Sequence, residues 1–282
     1  MGDQVGVAVS GTLYYAPEKE FKRVLTSSCS DLDQVDLFAE LCRLNTLYMI
    51  ARCGSGHIGS SFSSLDIMSW LHVKHLRGAN SENPEKPCDI FFSSKGHDSP
   101  ALYNVLLGMG KLDFSLIHKL RRLGGLPGHP DVGTPNIVTN TGSLGMGISK
   151  AKGMITANRL QGKDGRVFVL TGDGELQEGQ FWESLMNIPK NIANDLIMIV
   201  DHNKYQSDLS IEDTSSLGNL KNKLESFNIK TFVCNGNNFN DINNLFKKIK
   251  NISGPKAIIA STIKGKGVNF IEGKPLIKNM YY

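Results

Sequence analysis

The sequence lacks the features that define several large classes of protein. No apolar run approaches the roughly 20 residues of a membrane-spanning helix. No basic segment followed by an apolar core opens the chain, so we expect neither membrane insertion nor secretion. Cysteine is scarce, with no C-x-x-C pair, which predicts free thiols in a reducing cytoplasm. The cysteines are Cys29, Cys42, Cys53, Cys88 and Cys234.

Charge and glycine patterning exclude two classes of ligand. The formal net charge of +4 is mild, and the sequence has no dense Lys/Arg blocks of the kind that bind nucleic acid. Its largest basic cluster, at residues 247–250, is typical of a solvated helix face. No G-x-G-x-x-G motif follows an apolar run with an acidic residue about 20 positions later, which excludes a nicotinamide-binding Rossmann domain.

The composition is that of a globular protein, with 282 residues, 40% hydrophobic and 21% charged, enough for a large buried core. Short β-rich runs alternate with helical segments, which predicts an α/β fold: a doubly wound parallel sheet flanked by helices. The predicted strands are 89–93, 167–171, 196–200, 230–234 and 256–261. The predicted helices begin near Asp31 or Asp33, near Ser63–Ser64, after the 142–147 turn and near 239.

The domain organisation is simple, because the chain has no internal repeat and no convincing linker. Residues 31–282 are predicted to form one domain. In its first helix Leu37, Leu41, Leu44 and Tyr48 recur at helical spacing, and Gly54–Gly56 ends that helix. Residues 1–30 show no clear periodicity and are interpreted as an N-terminal extension that is partly ordered at best.

Asp173 and Asn203 form the most informative pair in the chain. Gly172-Asp173-Gly174 follows one apolar run, and Asn203 follows the next after 28 intervening residues. Ligands in parallel α/β sheets bind beyond the carboxyl ends of the strands, so both side chains are expected at the mouth of the sheet. A carboxylate and a carboxamide suit a hard divalent cation that also grips a diphosphate. The flanking glycines let the backbone approach the phosphates.

Six motifs in order resemble those of the transketolase family and extend over residues 33–272. One of these motifs consists of residues 172–179 together with residues 201–208, and it resembles the family's thiamine-diphosphate motif. The other five are Ser55–Gly59, Ser94–His97, Leu126–Pro130, Gly142–Gly147 and Thr262–Gly267.

The resemblance implies a thiamine-diphosphate-binding fold, here its diphosphate-binding domain, with thiamine diphosphate and Mg²⁺ (or Ca²⁺) as cofactors. It implies that the side chains of Asp173 and Asn203 and the main-chain carbonyl of Tyr205 bind the metal. Backbone N–H groups of Gly174 and of the 142–145 turn would face the phosphates. The residues expected to contact the cofactor are His97, Gly142, Ser143, Leu144, Gly172, Asp173, Gly174, Glu175, Asn203 and Lys264. A basic surface loop is an alternative interpretation of Lys264.

Three loop histidines match family histidines that line the funnel to the cofactor. His129 would contact the carbonyl end of the donor, while His57 and His97 would hold hydroxyls or transfer protons. Glu178 matches a family glutamate that links two cofactor sites at the subunit interface, although it can also be interpreted as an exposed helix glutamate. His202 is not expected to bind the metal, because magnesium prefers oxygen ligands.

The resemblance also implies a partner. In the family, a glutamate on a separate pyrimidine domain activates the cofactor, and this sequence does not contain that domain. We therefore expect a split transketolase, an α2β2 assembly in which a second polypeptide supplies the pyrimidine domain. One departure concerns Ile277-Lys278, where many split relatives have Trp-His. A lysine with an ordinary pKa of about 10.4 is a poor proton shuttle.

The expected reaction transfers a two-carbon ketol unit from a ketose to an aldose, with small sugars or sugar phosphates as substrates. Two alternatives remain open on the sequence. One is a decarboxylating acyl transfer from a 2-keto acid, as in branched-chain sugar biosynthesis, which the altered Ile277-Lys278 end favours. The other is a cofactor-binding subunit without catalysis, against which the three loop histidines argue.

Overall fold

The computed structural model describes residues 12–78, 88–206 and 209–274. The strands are β1 (Ile90–Ser93), β2 (Val167–Gly172), β3 (Leu196–His202), β4 (Tyr205–Gln206), β5 (Leu209–Ser210), β6 (Lys230–Asn235) and β7 (Lys256–Ser261). Five of them form a fully parallel sheet in the order β1-β2-β3-β7-β6. The short β4 and β5 pair in an antiparallel ribbon just after β3.

Helices cover both faces of this sheet. They are α1 (Glu18–Leu25), α2 (Asp31–Cys53), α3 (Ile58–Trp70), α4 (Ser99–Gly108), α5 (Gly147–Leu160), α6 (Gly179–Leu185), α7 (Ile211–Ser215), α8 (Leu220–Ser226) and α9 (Phe239–Ile249). A π-helical turn (Leu71–His75) extends α3, and 3₁₀ turns occur at Phe114–His118, Gly174–Gln177 and Ala193–Asp195. Within the described ranges, none of these helices combines the length and the apolar character needed to cross a membrane.

The central strands are buried on both sides. Phe168 and Leu170 of β2 enter the hydrophobic cluster formed with α1–α4 and α9, whereas Val167 and Val169 enter the cluster formed with α5, α6 and α8. This alternation follows from the two-residue period of a strand, and each such side chain contributes about 1.5–3 kcal/mol on full burial. The predicted doubly wound parallel sheet is therefore confirmed.

The predicted strands agree with the structure to within a residue or two at each end. The start of α2 is also confirmed, because Ser30 caps it by accepting a hydrogen bond from the Asp33 N–H at 3.3 Å. Gly54 ends the same helix in the left-handed conformation, at a φ of 73°, which costs glycine little. Helix α5 likewise begins at Gly147, where the 142–147 turn ends.

One helical prediction needs correction. Helix α3 begins at Ile58, five residues before the predicted start at Ser63. The helix predicted from the spacing of Leu37, Leu41, Leu44 and Tyr48 is present as α2, with Leu37 and Leu44 49% and 43% exposed. Its buried face carries residues such as Phe38 and Cys42.

The described part of the N-terminal extension does not stand apart from the domain. Helix α1 buries Phe21, whose ring lies 5.5 Å from that of Phe38 in α2. The Ala16 N–H donates a hydrogen bond of 2.7 Å to the side-chain oxygen of Asn45, and both residues are buried. Three residues of this segment, Ala16, Phe21 and Val24, therefore belong to the hydrophobic core of the domain.

Candidate active site

A cavity of about 540 Å³ opens at the carboxyl edge of the sheet. Asp173 follows β2 directly and Asn203 follows β3, and these strands are neighbours, with Gly172 opposite Asp201. The cavity is therefore placed where parallel α/β sheets bind ligands. The predicted site residues that line it are His57, His97, Leu144, Gly172, Asp173, Gly174, Glu175, Glu178, Asn203, Tyr205 and Lys264.

The Asp173 carboxylate is almost fully buried and is held from two sides. Its Oδ1 accepts a hydrogen bond from the Gly174 N–H at 2.9 Å, and its Oδ2 accepts one from the Lys204 N–H at 2.6 Å. Burial raises the pKa of this carboxyl above its usual range, which the nearby His202 and the Lys204 N–H offset only in part. His202 Nδ1 lies 3.5 Å from Asp173 Oδ2, so this histidine contacts the predicted metal ligand without replacing it.

The donor set is suited to a hard cation that is shared with a ligand. Among the described residues, no group of three His, Cys, Asp or Glu side chains could hold a metal by itself. A cation here would depend on the carboxylate of Asp173, the amide oxygen of Asn203 and main-chain oxygen, with the ligand completing the shell, as magnesium requires. The buried charged residues at the site are Asp98, Asp173, Glu175, Asp201, Lys95 and Lys264, which leaves a formal charge of −2.

Glu175 has a different environment from the one expected for a residue that contacts the cofactor. Its Oε1 accepts hydrogen bonds from Ser94 Oγ and from the Gly145 N–H at 2.9 Å, and its Oε2 accepts one from the Gly172 N–H at 3.3 Å. This carboxylate therefore joins the 142–145 turn to the end of β2. The Gly145 and Gly174 N–H groups bond to carboxylates of the protein itself, so they do not point freely at a phosphate.

His57 and His97 lie side by side on the cavity wall, with ring centroids 5.0 Å apart. The His97 Nδ1–H donates to the Lys95 carbonyl at 3.0 Å, because a carbonyl can only accept, and this leaves Nε2 as the proton-free nitrogen. Burial lowers the pKa of His97 to about 4. Burial and then the positive charge of Arg121 lower the pKa of His57, so both imidazoles are neutral near pH 7.

His129 is exposed, its ring lies against Gly96 and Gly142, and it is not among the residues that line the cavity. A Cβ on Gly142 would lie 2.8 Å from its ring, and one on Gly96 would lie 2.6 Å from the Gly142 nitrogen. Both glycines have positive φ, of 111° and 70°, so this close approach of two loops depends on glycine. Ser143 is exposed beside them, and it too lies outside the cavity lining.

Lys264 belongs to the site and not to a surface loop. Its side chain is 6% exposed and covers Gly59, where an added Cβ would lie 2.6 Å from Lys264 Cε. Its Nζ lies 5.5 Å from the centroid of the Tyr205 ring. Glu178, by contrast, lines the cavity while remaining exposed at the start of α6.

Two parts of the site were not found from the sequence. Arg121, with a φ of 53°, hydrogen-bonds Ser55 Oγ and is the cation that acts most strongly on His57. Lys95 lines the cavity, and its Nζ pairs with Asp201 Oδ2 at 2.7 Å and with Asp98 Oδ2 at 3.1 Å. The sequence could have indicated that the Asp201 and Asn203 side chains lie close together. The two residues are two positions apart at the end of a predicted strand, and alternate residues of a strand point to the same side.

Burial alone would lower the pKa of the Lys95 ammonium and raise that of the Asp201 carboxyl. The two carboxylates outweigh burial at Lys95, so its net pKa lies above the usual range. Lys95 in turn holds the pKa of Asp201 below its usual range. The Lys95–Asp201 pair is therefore charged at the wall of the cavity.

This parallel sheet, with a cavity at the carboxyl ends of two adjacent strands that is lined by Asp173 and Asn203, defines an α/β protein with a candidate ligand site in the usual place for its class. The family described as "Transketolase, thiamine diphosphate binding domain" matches residues 35–276. The chain belongs to the transketolase family.

Two relatives of similar length are named as transketolase subunits. The chain is 36% identical over 253 residues to the 6-deoxy-6-sulfo-D-fructose transketolase subunit SqwG of Clostridium sp. (strain MSTE9), covering 88% of this chain and 92% of that protein. It is 32% identical to an apulose-4-phosphate transketolase subunit of Actinobacillus succinogenes, covering 86% of this chain and 89% of that protein.

Among solved structures, transketolase from Campylobacter jejuni superposes with a TM-score of 0.75 at 28% identity. That match covers 86% of this chain and 40% of the other, so the chain spans about two fifths of that transketolase. Transketolase from Leishmania mexicana, with a TM-score of 0.77 and 24% identity, shares the fold.

Proposed function

We propose that this chain is the diphosphate-binding subunit of a split transketolase that transfers a two-carbon ketol unit from a ketose to an aldose. The observation that carries the proposal is the meeting of Asp173 and Asn203 oxygens at one cavity, in a chain of this family. A separate subunit supplies the pyrimidine domain, in an α2β2 assembly. The relatives that match along most of their length are named as subunits, which supports the partner.

The residues at the cavity fall into a metal-binding group and a group of histidines that contact the substrate. Asp173, the Asn203 amide oxygen and the Tyr205 carbonyl would hold Mg²⁺ together with thiamine diphosphate. The bound cofactor supplies the electron sink for breaking and forming the carbon–carbon bond. His57 and His97 are neutral near pH 7 and therefore accept hydrogen bonds or protons from sugar hydroxyls. His129 acts at the carbonyl end of the donor.

The substrate class is a small sugar that carries an anionic group. Two relatives are named for sulfonated and phosphorylated sugars, which supports this class. Arg121 and Lys264 place positive charge close to His57, where such a group would be attracted. Neither nucleic acid nor a membrane is a proposed partner, and the five free cysteines suit the cytoplasm.

The decisive measurement is isothermal titration of thiamine diphosphate with Mg²⁺ into the chain alone and with the pyrimidine-domain subunit. We expect weak binding alone and tight binding in the complex, because the site lies between subunits. Asp173→Ala should abolish the Mg²⁺-dependent binding, whereas Glu183→Ala, an exposed acidic change on α6, should leave it intact. Absence of binding to the wild-type complex would contradict the proposal.

The same complex separates transketolase chemistry from decarboxylation. A ketose donor should transfer its two-carbon unit to an aldose without gas release. Liberation of CO₂ from pyruvate in the presence of thiamine diphosphate would instead support acyl transfer from a 2-keto acid. Ile277-Lys278, the feature that favours this alternative, lies outside the described residues.

A further inference from the structure

Lys95, which lines the cavity, forms a charged cluster with Asp98 and Asp201 that is not used by the chemistry described above. Lys95 and Asp201 are 1% and 0% exposed, and Asp98 is 0% exposed. Removing charges from water costs so much that a buried ion pair adds little or nothing to stability. The cluster therefore calls for a role other than stabilising the fold.

The side-chain amide of Asn203 can be oriented in two ways, and this cluster selects one of them. A carboxamide has nearly the same shape when its oxygen and nitrogen exchange places, but only the oxygen can bind a cation. The Asn203 Nδ2 donates to Asp201 Oδ2 at 3.1 Å, and Asn203 Oδ1 accepts from the Tyr205 N–H at 3.1 Å. A carboxylate accepts and a backbone N–H donates, so both contacts select the same orientation.

We propose that Asp201 is a positioning residue, which keeps the amide nitrogen of Asn203 turned away from the cavity and its oxygen turned towards the metal. Lys95 fixes the carboxylate for this task through its contact with the same oxygen, Oδ2, at 2.7 Å. This inference rests on the proposed function, since it concerns an oxygen that would bind Mg²⁺.

The two oxygens of Asp201 have different partners, which provides a matched control. Oδ2 accepts from Lys95, from Ser63 Oγ at 2.7 Å and from Asn203, whereas Oδ1 accepts from Thr262 Oγ1. Thr262→Val removes a hydrogen bond to the same buried carboxylate but leaves the contact with Asn203. Asp201→Asn keeps the shape and lets the group facing Asn203 donate as well as accept.

The test measures how much Mg²⁺ each variant of the two-subunit complex needs to bind thiamine diphosphate, by isothermal titration at a series of Mg²⁺ concentrations. Asp201→Asn should raise the Mg²⁺ midpoint roughly 10- to 100-fold, the usual loss for residues that orient metal ligands. Thr262→Val should change it little. Circular dichroism melting of each variant without cofactor reports separately on folding.

A charge exchange keeps the test informative if Asp201→Asn folds poorly. Asn203→Asp alone would place a second carboxylate next to that of Asp201. The two negative charges repel each other, so this variant should also raise the Mg²⁺ midpoint. In the double variant Asp201→Asn/Asn203→Asp the new carboxylate has two equivalent oxygens, and the new amide can donate to it. The double variant should therefore bind Mg²⁺ more tightly than either single variant.

Two results would overturn the inference while leaving the proposed function standing. One is an equal shift of the Mg²⁺ midpoint in Asp201→Asn and Thr262→Val. The other is a double variant whose loss is the sum of the two single losses. A wild-type complex that binds no thiamine diphosphate at any Mg²⁺ concentration would instead contradict the proposed function, and the inference with it.

Discussion

At the scale of single residues, His57 and His97 have the same side chain in two different settings. His97 has its Nδ1 fixed on the Lys95 carbonyl, and burial is the main cause of its low pKa. For His57 the positive charges of Arg121 and Lys264 add to burial. His97 is therefore tuned chiefly by its depth, whereas His57 also depends on nearby charges that substitution can remove.

We predict that Arg121→Gln raises the pKa of His57. The neutral amide removes the largest charge effect on that imidazole but leaves its burial, so the pKa moves towards, without passing, the ordinary value of about 6.5. Titration of the His57 ring protons by NMR measures this shift.

Arg122→Gln is the matched control, because Arg122 does not act on His57. If both variants gave the same pKa for His57, the cause would be general net charge and not the position of Arg121.

At the scale of elements, helix packing depends on positions where a side chain has no room. Gly108 ends α4 against α1, and a Cβ there would lie 2.5 Å from Phe21 Cδ1 and 2.9 Å from Phe38 Cζ. Gly153 lies within α5 with nothing within 4 Å of an added Cβ. The two glycines therefore differ in what alanine would do.

We predict opposite effects of alanine on stability at these two glycines. Gly108→Ala should lower the free energy of unfolding by about 1–3 kcal/mol, because the methyl group overpacks the contact with Phe21. Gly153→Ala should raise it by about 0.5–1 kcal/mol, because alanine loses less conformational entropy in a helix. Urea unfolding of the three proteins measures both. Equal effects would mean that helix propensity alone decides.

The sequence predicted the elements whose local signals are strong. The apolar runs of β2 and β3, and the capping signals around α2, were enough to place the predicted ligands Asp173 and Asn203 at one edge. Local signals could not reveal α1, because its order comes from Phe21 packing against a helix that follows in the chain. For the same reason, the pairing of Lys95 with Asp201, 106 residues apart, is visible only once β1 and β3 are assembled.

At the scale of the whole molecule, several imidazoles are kept neutral by burial. The pKa values of His72, His75 and His97 are lowered to about 4, and desolvation is the largest cause for each. In the unfolded chain these groups take up protons near pH 6.5. Between pH 6.5 and 4 the unfolded state therefore binds more protons than the folded state, and stability falls as the pH falls.

We predict that His72→Gln flattens this dependence. One imidazole contributes up to about 1.4 kcal/mol per pH unit within the window, so removing it should lower the slope of unfolding free energy against pH. Urea unfolding at several pH values between 4 and 6.5 measures the slope. Ser69→Ala, a neutral change on α3, should leave the slope as it is. An unchanged slope in His72→Gln would mean that His72 takes up its proton equally in both states.

The contact between Ala16 and Asn45 affects where the protein can be shortened. The family match begins at residue 35, but Asn45 shares its buried carboxamide with the main chain of Ala16 through both its oxygen and its nitrogen. A fragment that began at residue 35 would lack Ala16 and Phe21. The Asn45 amide would then lose both hydrogen-bond partners, and the apolar surface that Phe21 covers would be exposed. Anyone who expresses the domain for crystallisation or assay should therefore begin upstream of Ala16, since a shorter product is expected to be prone to aggregation.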